Sequence, residues 1–156
     1  MTSLNGCQSW TAFSPNGGGL SLVLQNINSA KKSVHVLAYA FTEPSVGRAL
    51  LDAHKRGVSV YVVVDESSVG KANSMAKFLA SNGVDVKVII GPMQHNKVVL
   101  VDGHTVQTGS FNFSRAAENS NMENVLVIGN CPVLYQQYQS NFELIESRAR
   151  TLSPSY

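Results

Sequence analysis

The sequence predicts an α/β domain, with a mixed β-sheet carrying helices on its faces. Three observations predict it. Strand-like and helix-like segments alternate over the first ninety residues, in the order β-α-β-α-β-α-β. One segment, VSVYVVVDE at 58–66, is apolar almost throughout, as expected of a strand buried on both faces. Beyond it the pattern changes to two strand-like runs around Asp102-Gly103, a hairpin signal that demands antiparallel neighbours.

Each element has its own signal. SWTAFS (Ser9–Ser14) reads as a first strand and PNGGG as the loop after it. Leu20, Val23, Leu24 and Ile27 recur at helical spacing, predicting a helix from Leu20 to Lys32. SVHVLAYAF (Ser33–Phe41) is β-branched and apolar, hence a strand. Thr42 offers an N-cap, Glu43 and Pro44 suit a first turn, and the helix runs to Arg56 with Gly57 as its stop. Val58–Glu66 is the buried strand. A helix from about Lys71 to Ser81 follows, then a strand at Val84–Ile90. The hairpin strands, another strand at Glu123–Asn130 and a final helix from Pro132 complete the chain. That helix carries Leu134, Tyr138, Phe142 and Ile145 along one side.

The 156 residues suit one domain, 1–156, with a sizeable core. At 44% hydrophobic and 14% charged residues, the composition excludes a disordered chain. The longest apolar run is strand-sized, so no membrane span is expected. A net charge of +2 does not mark a nucleic-acid binder, so any anion site must be local. The N-terminal MTSLNGCQSW lacks the charged start and apolar stretch of a secretory signal. Cys7 and Cys131 either pair in an oxidising compartment or remain free core residues.

The chemistry concentrates in HNKVVLVDGHTVQTGSFN, His95 to Asn112. Residues two apart on a strand share a face, so His95 and Lys97 project together, as do Ser110 and Asn112. The hairpin should bring all four to its open end, away from Asp102-Gly103, and Glu123 could join them. Such a cluster suits a phosphate. Lys97 supplies charge, Ser110 and Asn112 supply neutral donors, and His95 can act as nucleophile or acid–base. A carboxylate such as Glu123 could hold the other ring nitrogen of His95. Asp102 is at least as well explained by turn chemistry.

The spacing His95-x-Lys97-x4-Asp102-x6-Gly109-Ser110-x-Asn112 resembles the HKD motif of the phospholipase D superfamily, with six fixed positions over eighteen residues. FSPNGGG, INSAKKSV, AYAFTEPSV, AHKRGVSVYVVVDE and TGSFNFSRAAENSNMENVLVI are similar to its small bacterial endonucleases of the Nuc type. The resemblance extends from about Trp10 to the end. It implies an α/β/α sandwich with a phospholipase D-like fold, and a phosphodiesterase acting on DNA and often RNA with little sequence preference. It further implies a covalent phosphohistidine intermediate, no cofactor and no metal. His95 matches the nucleophile, Lys97, Ser110 and Asn112 the phosphate ligands, and Glu123 a glutamate bonded to the histidine. Gly109 and Asp102 match motif positions whose roles are expected to be structural. Similar nucleases are commonly exported, which favours a periplasmic or secreted protein after signal removal, with a cytoplasmic protein as the alternative. Because the chain holds one motif and the chemistry needs two acid–base groups, a homodimer with its active site on the two-fold axis is expected.

Competing readings attach to other residues. Asp65-Glu66 ends a buried strand and could hold magnesium, although a cap is the plainer reading. His35, His54 and His104 lack ligand spacing, which argues against zinc. Lys31-Lys32 and Lys55-Arg56 read as solvated charges, and Arg115 as a further nucleic-acid contact. The same motif serves phospholipid hydrolases and transphosphatidylases, and a non-catalytic DNA-binding module is a third possibility.

Overall fold

The computed structural model describes residues 4–153; the readings that touch residues 1–3 and 154–156 lie outside them. Helices cover both faces of one eight-stranded mixed sheet, an α/β/α sandwich. The elements are β1 (Gln8–Ser14), α1 (Gly19–Ser29), β2 (Ser33–Ala38), α2 (Pro44–Lys55), β3 (Ser59–Asp65), α3 (Glu66–Val69) and α4 (Met75–Ser81). They continue with β4 (Asp85–Ile89), β5 (Val98–Val101), β6 (Thr105–Gly109), α5 (Arg115–Asn119), β7 (Glu123–Gly129), α6 (Pro132–Glu146) and β8 (Arg150–Thr151). The strand order is β1-β7-β6-β5-β2-β3-β4-β8. No described helix is long and apolar enough to cross a membrane.

The parallel portion is β2-β3-β4, joined through α2 and through α3–α4. β3 is central to it, and its alternate residues feed two separate cores. Val60, Val62 and Val64 pack with Val23, Ile27, Leu50 and Val99 on one face. Val63 packs with Leu37, Leu100, Tyr135 and Phe142 on the other. The near-continuous apolar run of β3 follows from this double burial.

β1 departs from the simple alternating order. It lies at the sheet edge, antiparallel to β7, from Gln8↔Gly129 to Ser14↔Glu123. Only Ala12 and Ser14 of its residues are buried. A strand with one half-covered face suits an edge, whereas the parallel interior needs apolar residues on both faces.

Three helix starts also differ from expectation, each because of a local cap. The α2 cap is Glu43, not Thr42; its Oε1 accepts from Ser45 N at 3.1 Å and Ser45 Oγ at 2.6 Å. Thr42 N–H is already taken by Phe113 O at 2.9 Å. The helix expected from Lys71 begins at Met75, capped by Ser74. The buried Asp65 starts the separate turn α3 by accepting from Ser67 N at 3.0 Å. At the N-terminal edge Cys7 and Cys131 are paired, with Cα atoms 5.0 Å apart and a sequence separation of 124. Closing so long a loop restricts the unfolded chain by about 4–5 kcal/mol on the chain-entropy account.

The hairpin forms as its turn signal demands. Val99↔Gln107, Leu100↔Val106 and Val101↔Thr105 pair across it. Asp102 (φ 55°) and Gly103 (φ 81°) take left-handed angles, and His104 N–H donates to Val101 O at 3.2 Å. Both angles are those of a primed turn, which Asp tolerates and Gly favours. The Asp102 carboxylate also reaches out of the hairpin. It accepts from Lys31 N at 2.8 Å, Lys32 N at 2.7 Å and Ser33 N at 3.0 Å, pinning the α1–β2 junction. Burial pushes its pKa up, but the three N–H groups, helped by His104, outweigh that and hold it below the ordinary value.

Asp102→Asn is therefore expected to act on stability. An amide nitrogen replaces one accepting oxygen and faces an N–H donor, at a cost of about 1–2 kcal/mol, read as a lower urea midpoint. A carboxyl with a lowered folded pKa stabilises above its unfolded pKa, and that contribution is lost as pH falls through the folded value. The gap between variant and parent should therefore close at acid pH. A well-folded variant with strongly reduced turnover would contradict the structural role.

Candidate functional site

The site lies where β2 and β3 end, β5 begins and β6 ends. His95 is exposed, two residues before Lys97, whose side chain is largely buried. Lys97 Nζ donates to His95 O at 2.6 Å and sits 3.0 Å from Nδ1 and 3.3 Å from Nε2 of the same ring. One ammonium cannot lie in line with both ring lone pairs, so it approaches the ring out of its plane. The Tyr39 ring, just past β2, packs against both: its centroid is 4.5 Å from that of His95 and 5.3 Å from Lys97 Nζ. Burial lowers the Lys97 pKa, and the charge of Glu123 opposes this. A partly desolvated cation beside an accessible imidazole is a ready anion site.

Opposite them runs the segment Gly109–Ser114. Carrying the β5–β6 register two residues further places Lys97 across from Gly109. Gly109 has φ 143°, and a Cβ there would stand 2.3 Å from Asn124 O, so only glycine permits this approach of β6 to β7. Ser110 Oγ donates to Glu123 Oε2 and accepts from Asn124 N at 3.1 Å and Asn124 Nδ2 at 3.3 Å. Asn112 Oδ1 accepts from Ala40 N at 3.4 Å, and Phe113 O accepts from Thr42 N and Glu43 N. The loop is thus stitched to the end of β2, beside Tyr39.

The expected hold of Glu123 on His95 is not made within the chain. Glu123 bonds Ser110 and, at 3.1 Å, Asn121. It starts β7, two strands from β5, a lateral separation of about 10 Å. Its carboxylate instead touches the Ser110 hydroxyl, whose single hydrogen it receives. Ser110 as a phosphate donor must turn that hydrogen away from Glu123.

Asp65 is engaged by its neighbours in the fold, Ser67 and Gln94. Besides capping α3 it accepts from Gln94 N at 2.9 Å, while Glu66 is exposed. Among the described residues no cluster of three or more His, Cys, Asp or Glu could hold a metal. His35 lies among Tyr61, Phe142 and Tyr135 on the α6 face, and burial lowers its pKa against the charges of Glu146 and Glu143. His104 bonds Thr105 Oγ1 at 3.0 Å at the far end of the hairpin. Arg115 is exposed at the start of α5. Tyr39 and Gln94 went unnoticed in the sequence. Tyr39 could have been found from its place at the C-terminal end of a parallel strand.

The family described as "Cardiolipin synthase, PLD-like domain" matches residues 23–145. Curated relatives include a phospholipase D of Rickettsia bellii, 36% identical over 76% of this chain and 59% of the relative. A mitochondrial cardiolipin hydrolase of Xenopus laevis is 37% identical over 79% of this chain and 59% of the relative. The chain thus spans about three fifths of the length of these relatives. Among solved structures, the phospholipase D family member Nuc from Salmonella typhimurium superposes with a TM-score of 0.91 at 38% identity, covering 94% of this chain and 99% of Nuc. NucT from Helicobacter pylori shares the fold, with a TM-score of 0.87 at 21% identity over 94% and 99% of the two chains. On this sequence match, and on a fold shared with Nuc, the chain belongs to the phospholipase D superfamily.

Proposed function

We propose that the chain is a metal-independent, largely sequence-nonspecific endonuclease that cleaves DNA, and RNA as a second substrate, through a phosphohistidine. The observation that carries this reading is the pairing of exposed His95 with the largely buried ammonium of Lys97, 3.0 Å from its ring. The likeness to Nuc over nearly its whole length favours a nucleic acid. The paired cysteines favour an oxidising compartment such as a periplasm.

In the first step a ring nitrogen of His95 uses its lone pair to attack phosphorus. The P–N bond forms, the P–O bond to the leaving alkoxide breaks, and the alkoxide takes a proton from a second group. In the second step that group removes a proton from water. The hydroxide attacks phosphorus, the P–N bond breaks, and the histidine is regenerated. Lys97 and the Asn112 amide neutralise the growing charge on the non-bridging oxygens, and Ser110 contributes when its hydroxyl leaves Glu123. Gly109 and Asp102 keep the hairpin in register.

The names of the curated relatives favour a second reading, hydrolysis of a phospholipid phosphodiester by the same groups. Plasmid DNA and phosphatidylcholine or cardiolipin vesicles, offered in parallel with excess EDTA, separate the two. Nicking of the plasmid, unchanged by chelator, is expected, because Lys97 stands where two-metal nucleases use carboxylate-held cations. Loss of cleavage with EDTA and its return with magnesium would defeat the histidine mechanism. Hydrolysis of vesicles alone would establish the lipid reading, and DNA binding without cleavage a non-catalytic module.

A further inference from the structure

We infer that Asp65 and Gln94 form a buried clamp that positions His95 for attack, so that Gln94 is a positioning residue of the reaction. The inference rests on the phosphodiesterase reading above. His95 sits in an irregular stretch between β4 and β5, without a strand ladder to fix it. Its two neighbours supply the missing restraint. Gln94 is 3% exposed and Asp65 6% exposed, although both are polar. Asp65 Oδ2 accepts from Gln94 N at 2.9 Å, which fastens the backbone just before His95 to the end of β3. Gln94 Oε1 then accepts from Asn96 N at 2.8 Å and from Asn96 Nδ2 at 2.9 Å, which fastens the backbone just after it.

Gln94 therefore turns inward and binds the exposed Asn96 across His95, while the His95 ring meets Lys97 Nζ at 3.0 Å. The other oxygen of Asp65 holds Ser67 N and Oγ at the start of α3. One carboxylate thus sets the nucleophile-bearing segment against a rigid parallel strand. Burying these groups costs free energy unless every bond is made, so the arrangement is stiff when complete. Stiffness matters because a displacement of about 1 Å in an attacking group can cost on the order of 100-fold in rate.

The test is steady-state kinetics on bis(p-nitrophenyl) phosphate and on plasmid DNA, with circular dichroism melts to give the folded fraction. Gln94→Met removes the accepting oxygen at nearly constant volume. Its kcat per folded molecule should fall about 10–100-fold while KM stays within about twofold, because Lys97 and Asn112 still bind the phosphate. Gln94→Glu keeps an oxygen for Asn96 and should regain most of the lost kcat. Asp65→Asn keeps one accepting oxygen and should fall between them. Ser67→Ala touches only the helix-cap side of Asp65 and should stay within about twofold of the parent. If Gln94→Met does not fold, the Asp65→Asn value decides. An unchanged kcat per folded molecule in Gln94→Met, or in Asp65→Asn where Gln94→Met does not fold, or an equal loss in Ser67→Ala, overturns the clamp. A parent inactive on both substrates would instead overturn the phosphodiesterase reading.

Discussion

A His95→Asn chain is expected to fold as the parent does and to lose turnover by roughly 10⁴-fold or more. The two halves of that statement have separate causes. His95 is exposed, and its contacts are the Lys97 ammonium and the Tyr39 ring, so little packing is lost with it. Surface changes of that kind usually stay within about 0.5 kcal/mol. Activity differs because asparagine has no lone pair able to form a P–N bond, and no second nucleophile stands at the same place. Lys97 serves as a donor, to His95 O at 2.6 Å, and the Ser110 oxygen is engaged by Asn124 N at 3.1 Å and Asn124 Nδ2 at 3.3 Å. Removing a general acid–base group alone costs typically 10²–10⁴; removing the nucleophile stops the covalent route altogether. The measurements are a thermal melt and a plasmid-nicking time course at matched protein concentration. Nicking within tenfold of the parent rate would sink the covalent mechanism.

The parts of the fold that could be read directly were those where local chemistry and burial agree. The β3 run is apolar because both its faces are covered, and Asp102-Gly103 turns the chain because both residues accept positive φ. Elements decided by distant partners were not legible. β8 is two residues, Arg150–Thr151, defined only by pairing with β4. β1 looks like any first strand until β7, more than a hundred residues away, claims it. α3 exists because Asp65 caps four residues, too few for any periodicity to show. The site divides the same way. His95, Lys97, Ser110 and Asn112 stand at spacings that a hairpin gathers. The bonding of Glu123 to Ser110 depends on strand order, since β6 lies between β7 and β5. Gln94 was hidden for another reason: a glutamine beside a histidine carries no pattern, and only its burial under Asp65 reveals its place.

On the proposed mechanism dilution to a monomer should abolish activity, because that mechanism needs two acid–base groups and each chain brings one. The attacking imidazole must be neutral, whereas the group that protonates the leaving oxygen must carry a proton. One histidine cannot be both within a single step. Among the chain's other histidines, His35 is packed beneath α6, His54 stands in the last turn of α2 by the start of β3, and His104 lies at the hairpin turn, at the opposite end from His95. A symmetric pair of chains meeting at His95 supplies the second imidazole and a second Lys97, and the exposure of His95 leaves it open to such a partner. Light scattering is expected to give about twice the monomer mass. Mixing parent chains with about a ninefold excess of His95→Asn chains, under conditions that allow exchange, should leave activity roughly tenfold below what dilution alone gives, since only parent–parent pairs turn over. Mixed chains that retain activity in proportion to the parent fraction, or a monomer that remains fully active, would place both acid–base groups within one chain and refute the shared site.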